Sequence, residues 1–447
     1  MRNAARLIGL VVWALLTPLT WADNRSLTII HTNDLHGHMQ QTTEFAGAAR
    51  IAALVDQTRR QQPGVLVLDA GDSISGTPVS TLFKGLPIFA ILNRVGYNAG
   101  ALGNHEFDHG SHQIALFRET AGYPLLSANA RTADGVLLAD NANLVMQVNG
   151  IKIAIIGLIT AKTPELITPV GNANLAFESP EAVLRAQVEA LDPLVDLVLV
   201  LSHVGHEEEQ RLAAVIDNID VIIGGHSHTT VTPPVKVNNT YVVQAGFYGA
   251  YVGYLQLAVD TETRKLVSFN GKLIPAEDLP PPDPVVADLV ATWEQAVEKI
   301  VDVAINRVDR DYSRAELQPI IEAILARSTG ADFGFYNSGG IRDKLRSGSI
   351  TIRNIWNIEP FGNSVVTVTA RGSDIRNMLA MEGEQHWRLL ALDDDKTYRV
   401  ATNSFVAAQA SKNAPRLFKV EDSQQLVRDV LVDYIETYGL RIDQPSR

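Results

Sequence analysis

The sequence predicts a layered α/β domain followed by a smaller α+β domain. Three observations carry this. The chain has 447 residues, more than one ordinary domain holds. From Leu27 to about Leu273, short β-type runs alternate with helical stretches, the pattern of a layered α/β unit. A stretch from Ile274 to Pro284 then interrupts it with Pro275, Pro280, Pro281, Pro282 and Pro284, which should keep the backbone extended. The expected divisions are 1–22, 26–274, 275–305 and 306–447.

Residues 1–22 read as a secretory signal. Arg2 and Arg6 make a basic start, Leu7 to Leu19 an apolar run, and Thr20-Trp21-Ala22 a cleavage site. The run is shorter than the roughly 20 residues that span a bilayer, so the mature chain is expected in the periplasm or outside the cell, not inserted in a membrane. The β-type runs are Leu27–His31, Val65–Asp69, Ile151–Leu158, Leu197–Leu201, Val221–Gly224 and Tyr241–Gln244. Between them, Ala46 to Arg60 is alanine-rich with apolar 3–4 spacing, and Pro63-Gly64 ends it. Ser179-Pro180-Glu181 supplies an N-cap, a first-position proline and a first-turn acid for a helix to about Leu191. After the prolines a helix is expected over Val286–Ala304. The second domain then mixes helices (Ala315–Ser328, Ser373–Met381, Gln424–Tyr438) with β-type runs (Ile350–Ile352, Val365–Ala370, Tyr398–Ala401).

Composition narrows the function. With 46% apolar and 20% charged residues the chain is globular. Its net charge of −12, deeper still without Arg2 and Arg6, argues against a sequence-independent grip on nucleic acid. It has no cysteine, which excludes a zinc–thiolate site, disulfides, a cysteine nucleophile and lipidation at an N-terminal Cys.

Five polar motifs lie in the first domain, most of them at the C-terminal end of a β-type run: Thr32-Asn33-Asp34-Leu35-His36, Asp69-Ala70-Gly71-Asp72, Gly103-Asn104-His105-Glu106-Phe107-Asp108-His109, Ser202-His203 and Gly224-Gly225-His226-Ser227-His228. Ligand sites of open α/β sheets lie outside those ends. Asp, His and Asn are the ligand types of a two-metal hydrolytic centre, in which an Asp bridges and His and Asn complete each set. Asp34, Asp69 and Asp72 are available to bridge. The spacings Asp34-x-His36 and His226-x-His228 place each pair on one side of an extended turn, to serve one ion or be split between two. Singly, such an Asp is more often a cap or turn residue; five such motifs in one domain point to a site. His31, His38, His109, His112, His206 and His386 lack that support and read as structural or as supports to the ligands from outside.

The segments HTNDLHGH (31–38), DAGD (69–72), GNHEFD (103–108), SHVG (202–205) and GGHSHT (224–229) resemble the calcineurin-like metallophosphatases, and within them the exported 5′-nucleotidase family. The resemblance implies a βαβ-sandwich metallophosphoesterase domain with the dinuclear site at one edge. It implies that Asp34, His36 and His228 bind one ion, that Asn104, His203 and His226 bind the other, and that Asp72 bridges. Zinc or manganese is usual for the family and calcium occurs in places; the ligand types also permit cobalt or magnesium. His105 and Asp108 match the family's catalytic dyad, beside attack of a metal-activated water on phosphorus.

In the second domain, NSGGIRDKLRSGSIT (337–351) and IEPFGN (358–363) resemble the family's substrate-recognising domain. Asn337 and Arg342 fall on positions that hold base or ribose-phosphate groups. Phe361 and Phe405 fall on the two phenylalanines that sandwich the base, and Arg310 on a second arginine. The chain departs from the pattern at two places. Ala407 to Pro415 replaces a Gly-Gly-Asp-Gly turn whose Asp holds the ribose hydroxyls, and Glu316-Leu317-Gln318-Pro319 replaces a Leu-Gly-Asn-Leu signature. The expected substrate is a small phosphoester, a nucleoside 5′-monophosphate first. Nucleotide sugars, 2′,3′-cyclic nucleotides and a sulfate–thiol link on a carrier protein are the alternatives. A non-catalytic binding protein should have lost ligands, and all seven are present.

Overall fold

The computed structural model describes residues 24–167, 172, 174–381, 392–413 and 419–441. The expected signal at 1–22 and His386 lie outside the described residues. Two six-stranded sheets form the first part of the chain. One runs in the order Lys265–Pro275, Tyr251–Asp260, Asn24–Thr32, Val65–Asp69, Ala99–Ala101, Leu125–Leu126. The other runs Val235–Val237, Thr240–Val243, Val221–Ile223, Leu197–His203, Ile151–Ile159, Asn143–Val148.

Strand alternation explains the layering. Leu27 and Ile29 of the first strand, with Leu66 and Leu68, meet Ile153, Ile155, Leu199 and Leu201 of the other sheet in one buried core. Ile30 and Val67 point the other way, onto Ile51 and Val55 of the helix Gly47–Gln61 and Phe89 and Leu92 of the helix Leu86–Val95. Ile156, Val198 and Val200 likewise face Leu184, Val188 and Leu212 of the helices Pro180–Leu191 and His206–Val215. The result is a helix–sheet–sheet–helix sandwich, the fold class expected. Strands Asn24–Thr32, Val65–Asp69, Ala99–Ala101 and Leu125–Leu126 are mutually parallel, so their C-terminal ends share one edge.

Several elements differ from expectation. The strands Ala99–Ala101, Asn143–Val148, Tyr251–Asp260 and Lys265–Pro275 are additional. The proline stretch is shorter than expected, because the helix begins at Pro284, with Asp283 Oδ1 accepting the Val286 N–H at 2.9 Å. Proline suits that first helical position, where its N–H would have no partner. The helix ends at Val301, and Ala304 starts the strand Ala304–Val308.

The second part holds a four-stranded sheet ordered Phe333–Gly334, Thr397–Asn403, Ser364–Arg371, Lys419–Leu426. Helices Arg314–Thr329 and Val427–Tyr438 cover one side, and Ser404–Asn413 the other. Gln424 to Leu426, expected as helix, completes the last strand. Arg353 joins the parts by pairing with Asp302 and Glu294, each at 2.6 Å, and Glu44 meets Lys344 at 2.7 Å and Arg346 at 2.9 Å. Among the described residues no helix is long and apolar enough to cross a membrane.

Candidate metal centre

Four loops and one strand end build the site. Asp34 and His36 follow the strand Asn24–Thr32, and Asp72 follows Val65–Asp69. Asn104 and His105 follow Ala99–Ala101, His226 and His228 follow Val221–Ile223, and His203 closes its own strand. Asp34, His36, Asp72, His226 and His228 all have positive φ, between 47° and 77°. Side chains other than glycine seldom adopt this region, at a cost of about 1–3 kcal/mol each. The loops hold one another there. Asp34 N–H donates to Gly71 O and His36 N–H to Asp72 O, both at 2.9 Å, and His226 N–H donates to Asp34 Oδ2 at 3.0 Å.

Two buried carboxylates brace these loops. Glu106 accepts the N–H groups of Gly103 (2.7 Å), Ser73 (2.9 Å) and Asp72 (3.1 Å), tying two ligand loops together. Glu209 accepts Gly225 N–H at 3.3 Å and Gln244 Nε2 at 3.1 Å beneath the His226–His228 turn. Gly224 is required there: a Cβ would come within 2.1 Å of Glu209 Oε2. Burial pushes Glu106 up to about 7 and Glu209 up to about 8.

Donor atoms converge in two main clusters. Those of Asp34, His36 and His228 lie within 4.8 Å of one another, as do those of Asp72, His203 and His226. The Nδ1 atoms of His36 and His203 face the carbonyls of Ser75 (3.0 Å) and Ala70 (2.8 Å), which turns each Nε2 toward the cluster. Asp72 lies between the clusters, its Oδ2 3.0 Å from His203 Nε2 and 3.8 Å from His36 Nε2. Burial alone would raise Asp72, yet the His203 and His105 imidazoles hold its carboxyl well below the usual range. Burial opposes a charged His203, but Asp72 outweighs it and lifts the imidazole to about 10. Burial and the nearby Arg342 drive His36 well below its ordinary value.

The residues fit a pair of cations. Among the described residues Asn104 Oδ1 is buried with no hydrogen-bond partner, and buried His203 Nε2 faces the Asp72 carboxylate at 3.0 Å. Buried polar atoms left in this way are rare in native proteins, and an amide oxygen and an imidazole nitrogen are donor types that suit a divalent ion. Asp69, also a candidate to bridge, is taken up instead by Ser73 Oγ (2.6 Å) and Thr32 Oγ1 (2.7 Å).

His105 stands to one side. Its Nδ1 meets Asp108 Oδ2 at 2.7 Å and its Nε2 lies 3.9 Å from Asp72 Oδ2. Burial works against its charged form, but Asp108 and Asp72 outweigh it and push the imidazole up. With His36 and Asp72 it makes a third grouping of donors, overlapping the other two. His31, His38, His109 and His206 are in none of the three.

The second part of the chain closes over these clusters. Arg342 Nη2 is 3.1 Å from His36 Nε2, and the Phe361 ring stacks on His105 with centroids 5.7 Å apart. Asn337 Oδ1 accepts Asn403 Nδ2 at 2.9 Å. Phe405 is half-buried against the Val366–Val400–Val406 core. Arg310 is exposed, lies over Tyr312 and pairs with Glu316 at 2.7 Å; none of its contacts is with a cluster residue. Sequence reasoning missed Tyr248. Its ring stacks on His38 at 3.9 Å and meets His36 edge-on, and its N–H donates to Asp34 O at 2.8 Å. The signal was an aromatic pair between Gly246 and Gly249, just past the strand Thr240–Val243. Glu209 showed a helical signal, sharing a spacing of three and four residues with buried Leu212 and Ala213.

Residues 27–230 match the calcineurin-like phosphoesterase family, and 295–391 match the 5′-nucleotidase C-terminal domain. The 5′-nucleotidase of Homo sapiens is 31% identical over 430 residues, covering 83% of this chain and 73% of the human one. The chain belongs to the 5′-nucleotidase family. Another relative, Protein UshA of Yersinia enterocolitica, is 29% identical over 480 residues, 87% of each chain. The crystal structure of a 5′-nucleotidase precursor from Thermus thermophilus superposes with a TM-score of 0.84 at 28% identity, over 92% of this chain and 96% of that one. This 5′-nucleotidase family member is thus a dinuclear metallophosphoesterase. Its clustered His and Asp donors fall in the phosphoesterase part, and Arg342 and Phe361 in the nucleotidase C-terminal part.

Proposed function

We propose that this enzyme hydrolyses nucleoside 5′-monophosphates to nucleoside and phosphate. The observation that carries the reading is the placement of Phe361 on His105 and of Arg342 on His36, an aromatic face and a guanidinium set directly over the metal clusters. On this reading Asp34, His36 and His228 hold one ion, Asn104, His203 and His226 the other, and Asp72 both, with zinc or manganese as the native metal. When bound, the ions supply positive charge to the phosphoryl oxygens and acidify the attacking water. Arg342 binds a phosphate oxygen through its planar fork of donors. Asp108 holds the Nδ1–H of His105, so that Nε2 presents a proton to the leaving oxygen. Phe361, with Phe405, stacks on the base, and Asn337 binds base or sugar. We divide the enzyme into a signal (1–22), a metal-binding domain (26–274), a connector (275–305) and a recognition domain (306–447), and place it in the periplasm or outside the cell.

Ala407 to Asn413 continues the helix Ser404–Asn413 and carries no carboxylate for the ribose hydroxyls. AMP and dAMP should therefore be hydrolysed with kcat/KM values within about threefold, since a missing contact gives no discrimination. The test measures phosphate release from AMP, dAMP, UMP and ribose 5-phosphate, and by chromatography the formation of UMP and glucose 1-phosphate from UDP-glucose and of adenosine monophosphate from 2′,3′-cyclic AMP, each before and after chelation and after zinc or manganese is restored. AMP and UMP should lead, and chelation should abolish release. A preference for UDP-glucose or the cyclic nucleotide would replace the substrate, and full activity after complete metal removal would sink the reading.

A further inference from the structure

Arg428 is the second residue of the helix Val427–Tyr438. A cation is poorly placed there, because the N-terminal end of a helix carries partial positive charge. It is also buried, at 8% exposure, which is unusual for arginine. Its surroundings supply the reason. The guanidinium lies over the Trp356 ring at 4.1 Å, and Nη1 donates to the carbonyl oxygens of Phe361 (3.0 Å) and Pro360 (3.3 Å). Glu359, buried nearby, accepts the Tyr336 hydroxyl. Beside it, Val427 N–H donates to Asn363 O at 2.9 Å, and Asn363 Oδ1 accepts Ser404 Oγ at 3.1 Å, one residue before Phe405. The first turn of this helix therefore grips the loop that carries Phe361 on both sides of the ring.

We propose that Arg428 is a positioning residue for recognition of the base. It fixes the backbone under Phe361 so that the ring is presented over His105, and it acts only through that ring. This rests on the reading of Phe361 as a stacking face for a nucleobase.

The test is a double-mutant cycle on the full chain: R428M and R428K, each alone and combined with F361A. kcat and KM are measured for AMP and for ribose 5-phosphate, which has the same ester and sugar but no base. F361A should lower the AMP to ribose 5-phosphate ratio of kcat/KM about tenfold, the scale of one base–aromatic stack. R428M should lower the same ratio about fivefold, mainly through KM for AMP. R428K, which keeps the charge but loses the planar fork, should fall between R428M and wild type. In the F361A background neither change should lower the ratio further. Losses that multiply in full in the double variant, or an equal loss on both substrates, would overturn the proposal and leave Arg428 a structural residue. Should R428M fail to fold, the R428K cycle decides by the same criterion. If F361A itself leaves the ratio unmoved, the stacking reading fails, and with it any role for Arg428 in positioning the ring.

Discussion

Asp72→Ala should abolish turnover and lower the bound metal below two ions per chain. The carboxylate sits among three imidazoles, with its Oδ2 3.0 Å from His203 Nε2, 3.8 Å from His36 Nε2 and 3.9 Å from His105 Nε2. Its Oδ1 also accepts the His105 N–H at 2.9 Å, so it orders the backbone that presents the His105 imidazole. On the proposed reading, removing it takes the shared anion from both ions at once. The loss should exceed the roughly 10–100-fold that outer-shell changes cost at metal sites. Asp72→Asn keeps the shape but not the charge, and should retain one tightly held ion at most. Metal content, activity and circular dichroism on the same preparations check this. Near-normal turnover with both ions bound would refute the bridging role.

His105→Ala should cut kcat for AMP by about 10²–10⁴-fold, the range for a lost general acid, while both ions stay bound. This separates two readings that the geometry brings close together, since the same imidazole also lies within reach of the His36 and Asp72 donor atoms. A ligand would take metal with it when removed; a proton donor would not. The leaving group gives a second check. An aryl phosphate with an acidic phenol needs little protonation, so the variant should lose far less on it than on AMP. Asp108→Asn should give a smaller loss in the same direction, because the 2.7 Å contact to Nδ1 persists without its charge. Equal losses on both substrates would remove His105 from the proton-transfer step.

Most of the donors were legible because they stand at or just past the end of a β-type run, and strand ends are where an open sheet places ligands. The runs at 27–31, 65–69, 151–158 and 197–201 are long enough, and buried enough on both faces, to announce themselves. Ala99–Ala101 is not: three small residues carry no periodicity, and only the polar run after them marked the place. What stayed hidden was tertiary. Nothing local to Arg342 or Phe361 says that they meet His36 and His105 across the cleft. Of the adjacent acids Glu207, Glu208 and Glu209 only the third is fully buried, because it shares a helix face with Leu212. Arg310 matched by position in the chain, yet Glu316 and Tyr312 hold it elsewhere. Pro284 looked like part of the linker because composition alone does not distinguish a spacer proline from one that opens a helix.

The left-handed backbone at Asp34, His36, Asp72, His226 and His228 bears on how this enzyme can be engineered. At these positions the fold tolerates conformations it would not choose, for the sake of the side chains they aim. Glycine or asparagine there would relax the main chain while discarding the chemistry. Selection for heat tolerance without selection for turnover should therefore drift first toward the metal loops and yield sturdy, inactive proteins. Useful stabilising changes should be sought instead in the helices on the outer faces of the sandwich, far from the edge where the strands end.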